Sequence, residues 1–286
     1  MVQQQVDTAR AVKRIEKVWF ITGASRGLGR VWAEAALQRG DKVAATARKL
    51  DSIADLKEKY GADVLTLALD VTQPAQAKTA VNAAHAYFGR LDVVLNNAGY
   101  SLVSTIEEAS ANDIRQLYDT NVLGPVAVIQ AALPLLRKQG HGHLLGTSSS
   151  LGHVVYPVIG YYCSSKWAFE AIYESLAIEV KPFGIDVTII EPGAYATTFG
   201  SQESLKFAES QPIYDELKAK VFGNIQHLEK GNPEATADAV FAVVDTPNPP
   251  LRLFLGKNSL PEVREAYAGR LKTWEAWETV SIAAQG

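Results

Sequence analysis

The chain has 286 residues, of which 47% are hydrophobic and 21% are charged, and its formal net charge at pH 7 is −3. This composition suits one large domain with a sizeable core, and the small negative charge provides no basic field that would favour nucleic acid or an anionic membrane. Residues 1–17 lack the apolar run of a secretory signal, no stretch reaches the ~20 apolar residues of a membrane span, and the single cysteine, Cys163, excludes an intrachain disulfide, so we expect a cytoplasmic protein.

Short apolar runs alternate with longer helical patterns from Val18 onward, after a polar N-terminal arm over 1–17 that either frays or caps a partner subunit. The runs are nearly continuous in apolar residues, as expected for strands covered on both faces. This alternation predicts a single α/β domain over 1–286, built on a parallel sheet with right-handed crossovers. The predicted strands are Val18–Thr22, Lys42–Thr46, Val64–Leu69, Asp92–Asn96, His143–Ser148, Asp186–Ile190 and Leu251–Leu255. The predicted helices include Leu28–Arg39, Gln76–Phe88, Asn112–Lys138, Tyr162–Val180 and Pro233–Val244.

Two regions depart from this alternation. The segment 194–228 mixes apolar and charged residues and is too long for a turn, which favours a helical lid over a substrate pocket; the alternative is a surface excursion packed for stability alone. The tail 261–286 is predicted to be helical, with Trp274 and Trp277 on one face as packing anchors.

A glycine-rich turn follows the first strand, with the sequence Thr22-Gly23-Ala24-Ser25-Arg26-Gly27-Leu28-Gly29. Glycines permit the sharp turn from strand to helix and let backbone amides approach an anion closely. The helix that begins near Leu28 directs the positive end of its dipole at the same point. This position between the first strand and the first helix predicts a site for the pyrophosphate of a dinucleotide.

The end of the second strand indicates which dinucleotide binds. An acid that would bind the ribose hydroxyls of NAD is expected about 20 residues after the glycine turn, but Ala47 stands there and Arg48 follows. Arg48 can attract a 2′-phosphate, and Arg26 can approach it from the glycine turn. The sequence therefore predicts NADP(H), unless Arg48 and Lys49 are solvated loop charges.

Three motifs together identify a family. The Gly-x-x-x-Gly-x-Gly spacing, Asn96-Asn97-Ala98-Gly99 after the fourth strand and Tyr162-x-x-x-Lys166 resemble the short-chain dehydrogenase/reductase family over Val18 to Phe199, in its non-extended branch. The resemblance implies a Rossmann-type, doubly wound, seven-stranded, mostly parallel sheet with helices on both faces. It also implies homodimers or homotetramers that pair through the helices at Asn112–Lys138 and Tyr162–Val180.

By the same resemblance, further residues contact the cofactor. Asp70 and Val71 would contact adenine, although Asp70 could instead cap the next turn. Pro192, Gly193 and Thr197, or Thr198 in its place, would close on the nicotinamide carboxamide. The predicted cofactor-binding residues are Gly23, Ser25, Arg26, Gly27, Leu28, Gly29, Arg48, Asp70, Val71, Asn97, Ala98, Gly99, Tyr162, Lys166, Pro192, Gly193 and Thr197.

The predicted chemistry depends on Tyr162 and Lys166, which share a helix face because they are four residues apart. The lysine ammonium is expected to favour tyrosinate and to lower the tyrosine pKa toward working pH, so that Tyr162 can supply a proton. The resemblance adds Ser149 as the hydroxyl on the substrate oxygen, with Ser148 or Ser150 as alternatives. It also adds Asn121, which would hold a water behind Lys166.

These residues predict reduction of a ketone or aldehyde with NADPH, the cofactor supplying the hydride and Tyr162 the proton. The substrate is predicted to be largely apolar, and the predicted pocket residues are Tyr100, His153, Tyr156, Tyr195 and Phe199. The pair His141-x-His143 has no Cys or acid cluster beside it, so we expect no metal. The predicted partners are a small carbonyl or alcohol substrate and further copies of the chain, without nucleic acid or membrane. The alternative function is an NADP(H)-sensing binding protein without turnover.

Overall fold

The structure is a computed structural model that describes residues 15–199, 204–226 and 228–286. Most of the N-terminal arm predicted over 1–17 therefore lies outside the described residues.

The nine described strands form one large sheet and one small sheet. Their bounds in chain order are β1 Val18–Ile21, β2 Lys42–Ala47, β3 Val64–Ala68, β4 Val93–Asn96, β5 Ser101–Val103, β6 Gly142–Thr147, β7 Ile185–Pro192, β8 Leu205–Phe207 and β9 Arg252–Leu255. The large sheet has seven strands in the order β3-β2-β1-β4-β6-β7-β9, with every pair parallel. The predicted parallel, Rossmann-type sheet is confirmed, and each predicted strand bound lies within two residues of the observed one.

Ten described α-helices connect and flank the strands. They are α1 Gly27–Gln38, α2 Ala54–Tyr60, α3 Pro74–Phe88, α4 Ala111–Tyr118, α5 Gly124–Gln139, α6 Gly160–Val180, α7 Asp215–Gln226, α8 Thr236–Asp245, α9 Ser259–Ala276 and α10 Glu278–Ala283. Residues of α3, α5 and α6 pack on one face of the sheet, and residues of α1, α2 and α8 pack on the other. The helices therefore cover both faces, which explains why the strands are apolar throughout.

The strand order reverses between β1 and β4, because the chain moves outward to β2 and β3 and then returns to the other side of β1. Open parallel sheets bind ligands at such a reversal, beyond the carboxyl ends of the strands. Thr22 follows β1 here and Asn97 follows β4. The topology therefore places the glycine turn and the Asn-Asn-Ala-Gly motif side by side.

The segment predicted as one helix over Asn112–Lys138 is interrupted. A π-helical turn over Asp119–Leu123 separates α4 from α5. Such turns are rare and often mark functional sites. By length and composition the segment Ala111–Gln139 could cross a membrane, but half of its most apolar window is buried within the fold, where α5 packs beside α3.

Two sequence-based expectations need correction. The lid segment is not purely helical, because it contains β8, which pairs with β5 in a separate two-stranded parallel sheet. The tail is helical as predicted, but Trp274 and Trp277 are 60% and 63% exposed and so do not anchor the tail to the rest of the described chain. Trp274 lies in α9, but Trp277 lies between α9 and α10, so the two do not share one continuous helix.

Candidate active site

The glycine turn has the conformation that an anion site requires. Gly23 and Gly27 have φ angles of 69° and 58°, in the left-handed region that favours glycine. A Cβ on Gly29 would lie 2.2 Å from Asn97 Nδ2 and 2.5 Å from the Gly23 carbonyl oxygen. Arg26 is the N-cap of α1 and makes no side-chain capping bond, so the first amides of the helix are not capped by that side chain.

The Asn-Asn-Ala-Gly motif holds this turn in place. The Thr22 hydroxyl accepts hydrogen bonds from the backbone amides of Asn97 at 2.9 Å and Ala98 at 3.0 Å. The Asn97 side-chain amide donates to the carbonyls of Thr22 at 3.1 Å and Gly23 at 3.2 Å. Resemblance assigned Asn97 and Ala98 to the cofactor alone, and the structure adds this scaffolding role.

The neighbouring predicted cofactor residues lie around the same edge. Arg48 is exposed just after β2, and Val71 is buried in the turn after β3. One carboxylate oxygen of Asp70 accepts hydrogen bonds from the Thr72 amide at 3.0 Å and the Thr72 hydroxyl at 2.8 Å. Asp70 therefore caps the turn that follows it, which was the alternative to a contact with adenine. The residues fit a dinucleotide, because a glycine cradle, a helix start and a basic residue lie along one edge of the sheet.

The loop after β7 reaches the glycine turn from the opposite side. A Cβ on Gly27 would lie 3.9 Å from Thr197 Cβ and 4.0 Å from Thr198 Oγ1, so both threonines border the turn. The Thr197 hydroxyl accepts from the Phe199 amide at 3.1 Å. Pro192 ends β7, and Gly193 donates its amide to the Leu255 carbonyl at 3.0 Å. This loop can therefore close over a molecule bound at the turn.

Tyr162, Ser149 and Lys166 converge at the carboxyl end of β6. Tyr162 and Lys166 lie in the first two turns of α6 and are 5% and 6% exposed. Tyr162 shares a side-chain hydrogen bond with Ser149, whose hydroxyl also lies 3.4 Å from the Pro192 carbonyl oxygen. The Lys166 ammonium donates to the Thr147 carbonyl at 2.8 Å and lies 5.8 Å from the Tyr162 ring centroid. Of the serines in this run, Ser149 is the one that acts on Tyr162, while the Ser148 hydroxyl lies beside Glu170.

Burial dominates the protonation of this centre. It raises the pKa of Tyr162 above its ordinary value, and the hydrogen bond with Ser149 opposes the rise. Burial also lowers the pKa of Lys166 to about 8, and the nearby Glu170 charge opposes that fall. Among the chain's own groups, desolvation therefore outweighs the effect expected from Lys166, and the prediction of a lowered tyrosine pKa is wrong.

Asn121 lies in the π-helical turn and is 1% exposed. Its side-chain oxygen accepts from the Tyr100 amide at 3.1 Å, and its nitrogen donates to the Tyr100 carbonyl at 2.9 Å and the Ser165 hydroxyl at 3.1 Å. A Cβ on Gly99 would lie 3.2 Å from Asn121 Oδ1 and 3.8 Å from Lys166 Nζ, so both side chains meet beside Gly99. Asn121 thus shapes the wall next to the lysine, and its water-holding role stays a prediction.

Of the five predicted pocket residues, Phe199 and Tyr100 lie near Tyr162 or Asn121, whereas Tyr195, Tyr156 and His153 contact other parts of the fold. Phe199 lies 5.8 Å from the Tyr162 ring between centroids, and Tyr100 follows Gly99 beside Asn121. Tyr195 instead packs on Gly231, where a Cβ would lie 2.7 Å from its ring. Tyr156 donates to Glu262 of α9, and its pKa is raised to about 12, mainly by burial.

His153 belongs to a buried cluster with Glu170, Glu191 and Arg252 that the sequence analysis did not identify. Its Nδ1 lies 3.1 Å from the Tyr267 hydroxyl of α9. His141 and His143 lie elsewhere: His141 pairs with Asp92 at 3.3 Å, and the buried His143 ring lies 2.9 Å from the Thr188 hydroxyl. The cluster brings together residues up to 99 positions apart, so no local pattern could have indicated it.

Glu108 anchors the lid segment to the body of the fold. One carboxylate oxygen accepts from the Gln211 amide at 2.7 Å and pairs with Lys218 of α7, while the other accepts from the Thr105 amide at 2.9 Å. Desolvation raises the pKa of Glu108, but these hydrogen bonds outweigh it and lower the pKa to about 2. Glu108 therefore holds α7 only while it is ionised.

Glu108→Gln is expected to loosen α7 without unfolding the sheet, because a neutral amide forfeits the charge-assisted bonds to Lys218 and the Gln211 amide. The native pKa is depressed from 4.5 to about 2, so this contribution is complete above about pH 4.5 and is lost as pH falls toward 2. Hydrogen exchange of the backbone amides over 211–222 measures the loosening of α7. The exposed Glu209→Gln is the control, and equal exchange rates in Glu108→Gln and the unaltered protein would contradict the prediction.

Comparison with known proteins agrees with this geometry. The short chain dehydrogenase family model matches residues 17–206. The curated relatives include the oxidoreductase BOA17 of Botryotinia fuckeliana, 38% identical over 274 residues that cover 93% of this chain and 98% of that protein. They also include the 3-ketodihydrosphingosine reductase of Bacteroides thetaiotaomicron, 31% identical over 261 residues that cover 90% of this chain and 93% of that protein.

Solved structures show the same fold. A short-chain dehydrogenase from Streptomyces avermitilis has a TM-score of 0.88 and 35% identity, covering 95% of this chain and 99% of that one. The alcohol dehydrogenase of Thermococcus sibiricus, complexed with 5-hydroxy-NADP, has a TM-score of 0.70 and 29% identity over 84% of this chain and 96% of that one. A Burkholderia phymatum relative in complex with NAD has a TM-score of 0.77 and 26% identity over 87% of this chain and 92% of that one. The chain belongs to the short-chain dehydrogenase family of oxidoreductases.

Proposed function

We propose that this chain reduces a ketone or aldehyde to the alcohol with NADPH, and catalyses the reverse oxidation. The observation that carries the proposal is the convergence of Ser149, Tyr162 and Lys166 in one buried centre beside the glycine turn. Bound NADPH supplies the hydride. The glycine turn, Val71, the residues after β4 and the loop after β7 would hold it.

The chain's own residues supply the proton and the oxygen site. The Tyr162 hydroxyl donates its proton to the carbonyl oxygen as the alcohol forms, and the Ser149 hydroxyl donates a hydrogen bond to that oxygen. A raised tyrosine pKa keeps the hydroxyl protonated and ready to donate. The Lys166 ammonium stabilises the tyrosinate that remains after the transfer.

A largely apolar substrate suits the residues near Tyr162. Phe199 faces the tyrosine ring and is 46% exposed, which leaves an aromatic surface beside the reacting centre. The reductase name of the Bacteroides relative and the alcohol dehydrogenase name of the Thermococcus relative support carbonyl chemistry. We also propose that the protein is cytoplasmic. We propose in addition that it assembles as a homodimer or homotetramer, and the 74% exposure of Ile178 on α6 is an observation in favour of that assembly.

The preference for NADPH is tested at Arg48. Arg48→Asp is expected to raise the KM for NADPH about 10- to 100-fold, because it replaces a charge-assisted phosphate contact with a repulsive charge. The preference for NADPH over NADH should become smaller or reverse. Lys49→Asp is the matched control, because Lys49 is also exposed and is the next residue. Absorbance at 340 nm, with aryl ketones, aldehydes and long-chain keto compounds, measures turnover with each cofactor.

Two results of this assay would contradict the proposal. Equal losses in the Arg48 and Lys49 variants would show that Arg48 does not recognise the phosphate. Tight NADPH binding without turnover on the whole panel would favour a binding protein over a reductase.

A further inference from the structure

A buried charged cluster lies behind the catalytic centre. Its four side chains come from four elements: His153 from the turn after β6, Glu170 from α6, Glu191 from β7 and Arg252 from β9. Glu170 and Glu191 are 5% and 0% exposed. Charged residues are almost never this buried unless they are paired or serve a function.

Arg252 pairs with both buried carboxylates, and the His153 ring lies beside one of them. Arg252 Nε lies 3.0 Å from Glu170 Oε2 and 3.5 Å from Glu191 Oε1, and His153 Nε2 lies 3.2 Å from Glu191 Oε2. His153, Glu170 and Glu191 could by chemistry hold a metal ion. The guanidinium of Arg252 supplies one positive charge against these two carboxylates.

Glu170 connects this cluster to the turn that carries Ser149. A Cβ on Gly152 would lie 2.8 Å from Glu170 Cγ, 3.1 Å from Glu170 Oε1 and 3.0 Å from Ser148 Oγ, so the Glu170 side chain lies beside both Gly152 and Ser148. The Glu170 side chain therefore packs against residues that precede and follow Ser149 in this turn. A glycine at 152 is what permits this close approach.

Glu170 also connects the cluster to Lys166. The two residues are four apart on α6 and so lie one above the other on the same face. Glu170 is in addition the charged group whose field acts on the lysine in the direction that keeps it protonated. One carboxylate thus contacts the serine turn and faces the catalytic ammonium.

We propose that Glu170 is a positioning residue for the reaction: its carboxylate seats the turn that carries Ser149 and maintains the positive charge of Lys166. This inference rests on the proposed reductase function. Burial and then the Glu191 charge raise the pKa of Glu170, and Arg252, whose Nε lies 3.0 Å from Glu170 Oε2, opposes that rise and so favours the ionised carboxylate that acts on the lysine.

The groups that face Lys166 explain why Glu170 matters. They are the titratable Tyr162, the ring of Phe169 and Glu170 on its own helix, the Thr147 carbonyl of β6, and Asn121 across Gly99. Of these groups Glu170 provides the opposing negative charge, while burial alone favours the neutral amine. Without that charge, Lys166 should lose its proton at lower pH.

The test reads Lys166 directly. With 13Cε-labelled lysine, NMR follows the titration of Lys166 in the full-length protein, and the spectrum of Lys166→Arg assigns the signal. Glu170→Gln is expected to lower the Lys166 midpoint by about one pH unit or more. The alkaline limb of the kcat/KM profile for carbonyl reduction should move to lower pH by the same amount.

Two further variants separate charge from packing. Glu174→Gln is the matched control, since Glu174 pairs with the same Arg252 at 2.7 Å but is 55% exposed, and it should leave the midpoint unchanged. Glu170→Asp keeps the charge but shortens the side chain by one methylene. The Lys166 midpoint in this variant should therefore fall between those in the unaltered protein and in Glu170→Gln.

An unchanged Lys166 midpoint in Glu170→Gln would overturn the proposal. If that variant does not fold, an unchanged midpoint in Glu170→Asp has the same force. The NMR titration needs no turnover, so it stays decisive if the protein binds NADPH but reduces no carbonyl, a result that would contradict the proposed function alone.

Discussion

Tyr162→Phe is expected to lower kcat for carbonyl reduction about 10²- to 10⁴-fold, the range typical for loss of a positioned general acid. The ring would still fill its buried position and contact Phe199, so the fold should persist. The change removes the hydroxyl that shares a hydrogen bond with Ser149 and supplies the proton. NADPH oxidation at saturating substrate measures the loss.

The adjacent tyrosine provides the control. The Tyr161 hydroxyl donates to the Ile106 carbonyl at 3.0 Å, so Tyr161→Phe removes a comparable group outside the centre and should leave kcat within a few-fold. NADPH affinity should also change little in Tyr162→Phe. A Tyr162→Phe enzyme that kept more than about a tenth of its kcat would exclude Tyr162 as the proton donor.

Gly29→Ala is expected to weaken NADPH binding about 100-fold or more, equivalent to about 2.7 kcal/mol. The new methyl group would lie 2.2 Å from Asn97 Nδ2 and 2.5 Å from the Gly23 carbonyl oxygen, so either the asparagine or the turn must move. Movement breaks the bonds that Asn97 donates to Thr22 and Gly23. Overpacking of this kind should also lower the free energy of unfolding by about 1–3 kcal/mol.

Fluorescence titration with NADPH and urea unfolding measure the two effects. Gly269→Ala is the control, because Gly269 lies in α9 with open space around it, and an alanine there should stabilise the helix by up to about 1 kcal/mol. Unchanged NADPH affinity in Gly29→Ala would show that the turn does not bind the cofactor.

The main sheet and the glycine turn could be predicted from the sequence because their signals are local. An apolar run such as Val18–Ile21, followed by closely spaced glycines and a helical pattern, predicts a strand, a turn and a helix without information from the rest of the chain. Tyr162 and Lys166 are four residues apart on one helix, so their proximity also follows from helix geometry.

Other features depend on residues that meet only in the folded chain. The three-residue strands β5 and β8 are too short to have a period of their own, and each exists because of the other. The spacing of Trp274 and Trp277 predicts a shared helix face, but it does not report that the helix ends before Trp277 or that both side chains are exposed. The tyrosine pKa depends on the depth of burial, which a sequence pattern does not report.

The pairing of β5 with β8 also has a consequence for synthesis of the chain. Leu102 of β5 pairs with Lys206 of β8. About a hundred further residues must therefore be synthesised after β5 before its partner strand is available. Until then an apolar strand edge is open to wrong partners, including the same edge of another nascent chain. Contacts of such long sequence separation also form slowly. The small sheet should therefore be among the last parts of the fold to close.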